Sequence, residues 1–191
     1  MKFVTPSWNE IYESSLTLAA RIRAIEKVPF ETLVGVSRGG LVLCRILSDL
    51  LDIQDIRILK CEYYTDVGET RKKPLISQEL QGDLKGKNVL VVDDVADSGK
   101  SLVAIMDYLK QKNPSRIRVV TIYMKPNSSK IPDYFAKRTT SWIIFPWELY
   151  EAIKLLSRGK MKSDLAKTGI PRRYAKIILK MSEADQPRKR V

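Results

Sequence analysis

A chain of 191 residues, 44% of them hydrophobic, has the length and apolar content for one main domain with a true core and a small appendage. It contains no histidine, which removes Ser-His-Asp triads and most zinc sites, and no stretch near the roughly 18 apolar residues that a membrane-spanning helix needs. The net charge of +12 points to nucleic acid or a polyanionic small substrate, but much of the excess follows Glu151, at Lys160, Lys162, Lys167, Arg172, Arg173, Lys176, Lys180, Arg188, Lys189 and Arg190, so it describes the tail more than the core.

The start, Met1-Lys2-Phe3, leads into a polar helix rather than a signal peptide. Ser7 and Glu10 form a capping box, and Ile11, Leu16, Leu18, Ile22 and Ile25 predict a helix to about Lys27. Thr32 to Val36 reads as a short buried strand, Leu41 to Leu51 as a helix and Asp55 to Glu62 as a strand. Cys44 and Cys61 both stand among apolar residues; they read as free buried thiols, which leads us to expect a cytoplasmic protein. Thr65 to Gly86 is polar and weakly periodic, too long for a simple connection. Asn88 to Val92 is a strand, Leu102 to Gln111 a helix, and Arg116 to Met124 a strand closed by the breaker Lys125-Pro126-Asn127. Trp142 to Phe145 is a last strand, and Pro146 opens a helix from Trp147 to about Arg158. Strands that alternate with helices and are apolar throughout predict an α/β fold: a twisted, mostly parallel sheet flanked by helices, with ligands at the strands' carboxyl ends.

The densest chemistry lies in Val89-Leu90-Val91-Val92-Asp93-Asp94-Val95-Ala96-Asp97-Ser98-Gly99-Lys100-Ser101. An apolar strand ends in two carboxylates, and a loop with Ser98, Gly99 and Ser101 enters a helix. Backbone N–H groups of such a loop can wrap a phosphate, while Asp93 and Asp94 can hold hydroxyls or a hydrated divalent cation. Gly99-Lys100-Ser101 matches the end of a Walker A loop, but that motif needs a glycine where Asp94 stands. Ser37-Arg38-Gly39-Gly40, between a strand and a helix, suits a grip on an anion or a tight turn with a solvated arginine. Tyr63 to Pro74, with Arg71, Lys72 and Lys73, reads as a charged loop. Lys125 alone reads as a surface lysine, and Trp142-Ile143 as core.

The thirteen residues from Val89 resemble the phosphoribosyl-pyrophosphate motif of type I phosphoribosyltransferases: four hydrophobics, two acids, two variable residues, then Asp-Ser/Thr-Gly-x-Ser/Thr. Val36 to Val42 and Trp142-Ile143-Ile144-Phe145-Pro146-Trp147 are similar to segments of the xanthine-guanine members. The resemblance covers roughly residues 8 to 150. It implies the type I fold with a small hood, a phosphoribosyltransferase domain over 1–150, and a basic helical extension over 151–191. It implies transfer of a phosphoribosyl group from phosphoribosyl pyrophosphate to guanine, hypoxanthine or xanthine in purine salvage, with Mg²⁺. Arg38, Gly39, Asp93, Asp94 and Val95 to Ser101 would bind phosphoribosyl pyrophosphate, with Asp93 and Asp94 also toward the metal. Arg71 would be the lid arginine at the pyrophosphate, and some relatives carry a non-proline cis peptide in the Ser37 loop. Asp97 would bond purine N7–H and take its proton. Lys125 would donate to O6, Trp142 would stack on the ring, and the Ile143 carbonyl would accept from a 2-amino group. Glu148 follows where relatives often have an Asp near the metal.

Met161 to Met181 predicts two short helices around Gly169-Ile170-Pro171, and Ser163 to Ile170 has a distant likeness to a helix-turn-helix with its spacing one residue short. A packing helix or a homo-oligomer contact, dimer or tetramer, is the expected role; nucleic acid and membrane are not expected partners. Two other functions stay open: a phosphoribosyl-pyrophosphate-sensing regulator that binds nucleic acid, and a transferase for another base. Lys125 argues for an oxo group at position 6, because an ammonium donates and cannot accept.

Overall fold

The capping box at the start of the chain forms. The Glu10 carboxylate accepts from the Ser7 N–H at 2.8 Å, and Ser7 Oγ accepts from the Glu10 N–H at 3.2 Å. The first helix begins there, in a computed structural model that describes residues 2–64, 73–157 and 162–184. In chain order the elements are β1 (Phe3–Val4), α1 (Trp8–Ile25), β2 (Thr32–Ser37), α2 (Gly40–Leu51), β3 (Asp55–Tyr64), β4 (Lys73–Gln78), β5 (Asn88–Ala96), α3 (Lys100–Lys110), β6 (Arg116–Met124), β7 (Tyr134–Arg138), β8 (Trp142–Ile143), α4 (Leu149–Leu156), α5 (Lys162–Leu165) and α6 (Arg172–Ala184).

Two compact units result, one made of residues 12–140 and the other of residues 1–11 with 141–191. The larger holds a six-stranded sheet in the order β4-β3-β2-β5-β6-β7, parallel except for β4, which runs antiparallel to β3. Val34 of β2, with Val89 and Val91 of β5, joins Leu102, Ile105 and Leu109 of α3 in one core. Strand alternation turns Leu90 and Val92 to the opposite face, where α2 packs on β2 and β5 with Leu43, Cys44 and Leu47 buried. This is the mostly parallel, helix-covered sheet expected from the sequence. Chain order reverses between β2 and β5, so the crevice for a ligand lies at their carboxyl ends.

Three strands escape the sequence reading. β4 and β7 are edge strands with half-exposed, polar residues, and β4 carries Pro74, which an edge tolerates. β1 is two residues long and exists only through its pairing with β8. β5 also runs four residues further than its apolar run, through Asp93, Asp94, Val95 and Ala96, because β6 pairs with it to Met124.

In the smaller unit, β1 and β8 pair in parallel, and Ile144, Ala152, Ile153, Leu156 and Ile170 form a second core. Ala175, Ile178 and Leu179 of α6 lie against it, whereas Ile177 is exposed. The segment likened to a helix-turn-helix holds α5, described over Lys162–Leu165, and the turn that leads to α6. The helix expected from Trp147 to Arg158 is shorter, Leu149–Leu156. Among the described residues no helix is long and apolar enough to cross a membrane.

Candidate active site

The carboxyl ends of β2, β5 and β6 carry the predicted chemistry of the larger unit. Pairing of β2 with β5 stops at Gly35 opposite Val92, whereas β5 continues beside β6 with Asp93 opposite Thr121. The acidic pair therefore stands on a strand held on one side only, next to the point where β2 turns away. Asp94 is buried at 6% exposure, and its N–H donates to Asp93 Oδ1 at 3.0 Å.

The glycines of the Ser37 loop explain how the crevice closes on those carboxylates. A Cβ on Gly39 would lie 2.3 Å from Asp94 Oδ2, and one on Gly40 would lie 2.2 Å from the Val92 carbonyl oxygen. Only bare Cα atoms let the first turn of α2 come this close to β5. The helix thereby brings the positive end of its dipole beside the Asp94 carboxylate. The Ser37–Arg38 peptide bond is cis, and Arg38 is exposed at the rim.

Past Ala96 the chain bends through Asp97, Ser98 and Gly99 into α3. Gly99 sits at φ +76, a left-handed conformation that favours glycine, and α3 starts with no side-chain cap. Val95 and Ala96, expected in the phosphate loop, are strand residues opposite Tyr123 and Met124. Lys100 is exposed, and Ser101 is half-buried. Burial pushes the Cys61 thiol upward, opposed by a hydrogen bond with Ser101, while burial pushes Cys44 up to about 12. Both cysteines are free, as expected; Cys44 is buried, whereas Cys61, expected to be buried too, is half-buried.

Lys125 follows β6, its N–H donating to the Ala96 carbonyl at 2.9 Å. A pocket of about 300 Å³ is lined by Asp97, Ser98, Lys125, Pro126, Asn127 and Thr140. Asp97 and Lys125, read separately in the sequence, are thus brought together. Asn127 and Thr140 are lining residues that the sequence did not single out as site residues. Asn127 was legible only as part of a strand breaker, and Thr140 reaches the pocket through the return of β7, itself invisible in the sequence.

Trp142 and Ile143 belong to the smaller unit. The Trp142 ring lies against Phe3 with centroids 5.7 Å apart and packs on the second core, and Ile143 pairs with Val4. Glu148 lies just before α4 in the same unit. Arg71 lies outside the described residues.

Residues 7–154 match the phosphoribosyl transferase domain. The chain belongs to that family. It is 31% identical over 146 residues to the xanthine-guanine phosphoribosyltransferase of Idiomarina loihiensis, across 75% of this chain and 86% of the relative. It is 30% identical over 149 residues to that of Cereibacter sphaeroides, across 75% and 85%. Among solved structures it is similar to a purine phosphoribosyltransferase from Pyrococcus horikoshii, with a TM-score of 0.70 and 35% identity over 78% of this chain and 95% of the other.

Proposed function

We propose that this chain is a purine phosphoribosyltransferase that joins guanine, hypoxanthine or xanthine to the ribose of phosphoribosyl pyrophosphate, releasing pyrophosphate, in purine salvage. The observation that carries the choice of base is the pocket that holds Asp97 and Lys125 together. An ammonium group donates only, so Lys125 suits the O6 of an oxopurine and opposes the amino group of adenine. Asp97, in the same pocket, accepts from purine N7–H and takes its proton as the glycosidic bond forms at N9. No histidine exists to share that work.

Asp93 and Asp94 hold the ribose hydroxyls. Their hard oxygen donors also fit a hydrated Mg²⁺, an ion that proteins hold through one or two carboxylates together with substrate phosphates. When bound, that ion supplies electrostatic stabilisation of the pyrophosphate leaving group. Ser98 to Ser101, with the amino end of α3, anchors the 5′-phosphate, and Gly39 and Arg38 face the pyrophosphate. The charge that develops is positive on ribose and negative on pyrophosphate, so carboxylates at the one and cations at the other lower the barrier by position and electrostatics. Arg71 as lid arginine, Trp142 as ring platform and the Ile143 carbonyl as acceptor from a 2-amino group complete the proposal, with cytoplasmic action and a homo-oligomeric state.

The test is direct. The protein is incubated with phosphoribosyl pyrophosphate, Mg²⁺ and each base in turn, and nucleotide formation is followed. The 6-oxopurines should react, and excess chelator should stop them. A preference for adenine, orotate or uracil would overturn the assignment of Lys125.

A further inference from the structure

The loop joining β6 to β7, residues 125–133, contributes to the base pocket and also leans on the phosphate loop. It is fixed at two points. At its start, the Lys125 N–H donates to the Ala96 carbonyl at 2.9 Å. At its middle, the backbone N–H and the Oγ of Ser129 both donate to the Ser98 carbonyl oxygen, each at 2.9 Å. Between the two anchors lie Pro126 and Asn127, which line the pocket, and a turn closed by the Ser128 N–H on the Lys125 carbonyl at 3.0 Å.

Gly99 completes the contact. A Cβ there would lie 2.5 Å from the Lys130 nitrogen, 2.6 Å from Ser128 Oγ and 2.8 Å from the Ser129 nitrogen. The β6–β7 loop therefore fills the space that a side chain at position 99 would take. The glycine serves this docking as well as the left-handed turn.

The double donation to Ser98 has a geometric consequence. The Ser98 carbonyl and the Gly99 N–H belong to one planar trans peptide and point in opposite directions. Two donors that hold the carbonyl toward the β6–β7 loop turn the Gly99 N–H to the opposite side, at the amino end of α3. They also polarise the peptide and strengthen that N–H as a donor. The same bonds tie the loop that carries Lys125 and Asn127, two residues of the pocket lining, to the chain on either side of Asp97.

We infer that Ser129 is a positioning residue that couples the two substrate sites: a phosphate gripped by the Ser98–Gly99 peptide braces the β6–β7 loop, and a purine in the pocket braces the phosphate loop in return. Ser129 lies outside the residues that line the pocket and acts through Ser98. This rests on the purine-transfer reading of both sites. Coupling of this kind is reciprocal, so either ligand can report it.

The probes are ribose 5-phosphate, which lacks the leaving group and cannot react, and hypoxanthine. Titration calorimetry gives the affinity of the full-length protein for ribose 5-phosphate without and with saturating hypoxanthine. The wild type should bind ribose 5-phosphate about fivefold or more tightly when the base is present, at the lower end of ordinary coupling between sites. In Ser129→Ala that ratio should fall below about twofold, and Ser129→Thr, which keeps the hydroxyl, should restore it. Ser129→Cys, similar in size but a weak donor, should behave as Ala does. Thermal unfolding checks that the variants keep the wild-type fold. A wild-type ratio of one, or an unchanged ratio in both Ser129→Ala and Ser129→Cys, overturns the coupling. Nucleotide formation by the wild type separates the two ideas. If no 6-oxopurine reacts, the transfer reading falls; if one reacts and the ratio is unchanged, only the coupling falls.

Discussion

At the amino ends of its strands, the parallel sheet is tied by charged side chains; at their carboxyl ends, it is shaped by side chains that are missing. Asp55 at the start of β3 accepts from Arg57, from Lys87 at 2.8 Å and from Thr32 at 2.8 Å. Arg57 also donates to the Gln81 and Asp83 carbonyls. Glu26, on the loop after α1, receives Arg116 at the start of β6 and the Tyr134 hydroxyl of β7. At the other end, Gly39, Gly40 and Gly99 bring backbone to within van der Waals contact of Asp94, Val92 and the β6–β7 loop. The two ends use different means because they answer different needs. Ion pairs join neighbouring strands and leave little polar capacity over, whereas close backbone approach shapes a crevice and keeps carboxylates and N–H groups at its surface.

The comparison predicts which variants change chemistry and which change stability. The largest effect should come from Asp93→Asn combined with Asp94→Asn. Loss of both carboxylates should lower kcat/KM on the order of a thousandfold, about 4 kcal/mol of transition-state stabilisation. The melting temperature should move little, because the new amide oxygen at position 93 can still accept from the backbone N–H of position 94. Near-wild-type activity in the double variant would remove the acidic pair from the sugar site.

Gly40→Ala cuts across the comparison, since it places a stability effect at the carboxyl end. The new methyl would meet the Val92 carbonyl and the Asp93 Cα, which are rigid backbone of the central strand. Overpacking of that kind should cost about 3 kcal/mol in urea unfolding and displace the start of α2. A variant as stable as wild type would show that α2 sits further from β5.

Lys125→Ala should weaken binding of hypoxanthine or guanine by about 2 kcal/mol, the usual cost of leaving a polar group without its partner, and leave stability near wild type. Equal loss for adenine, measured as KM or Kd, would mean that Lys125 does not read the 6-position.

The smallest effect belongs to the amino end. Asp55→Asn should cost about 1 kcal/mol of stability, because the carboxylate is a third exposed and its pairs are partly screened, and kcat should not change. The sign with pH follows from the hydrogen bond of Arg57, which holds the Asp55 carboxyl well below the usual carboxylate range. A depressed folded-state value means that the contribution is complete above the unfolded value near pH 4 and is lost as pH falls below it. The stability difference between wild type and Asp55→Asn should therefore shrink between about pH 4 and pH 2. A constant difference over that window would show that Asp55 acts by shape rather than charge.

Sequence alone determined the parts of this protein that depend on neighbours along the chain. The alternation of buried strands and amphipathic helices, the capping box at Ser7, and the acidic strand end with its glycine turn are local patterns, and each is realised within a few residues of its expected position. Local patterning has a plain cause: a strand covered on both faces must be apolar throughout, and a helix that covers it must be apolar on one side. Tertiary structure decided what depends on pairing across the chain. β4 and β7 are strands because β3 and β6 offer them open edges, not because their own residues alternate cleanly. β5 extends through Asp94 to Ala96 because β6 runs beside it, which puts the carboxylates on a strand rather than in a loop. Asn127 and Ser129 matter only through the return of one loop onto Ser98 and Gly99, and Thr140 through the return of β7; no spacing in the sequence encodes these contacts. A hydrogen bond between residues 98 and 129 exists only after β5, α3 and β6 have packed; its energy comes from the fold, so it leaves no trace in the order of the residues.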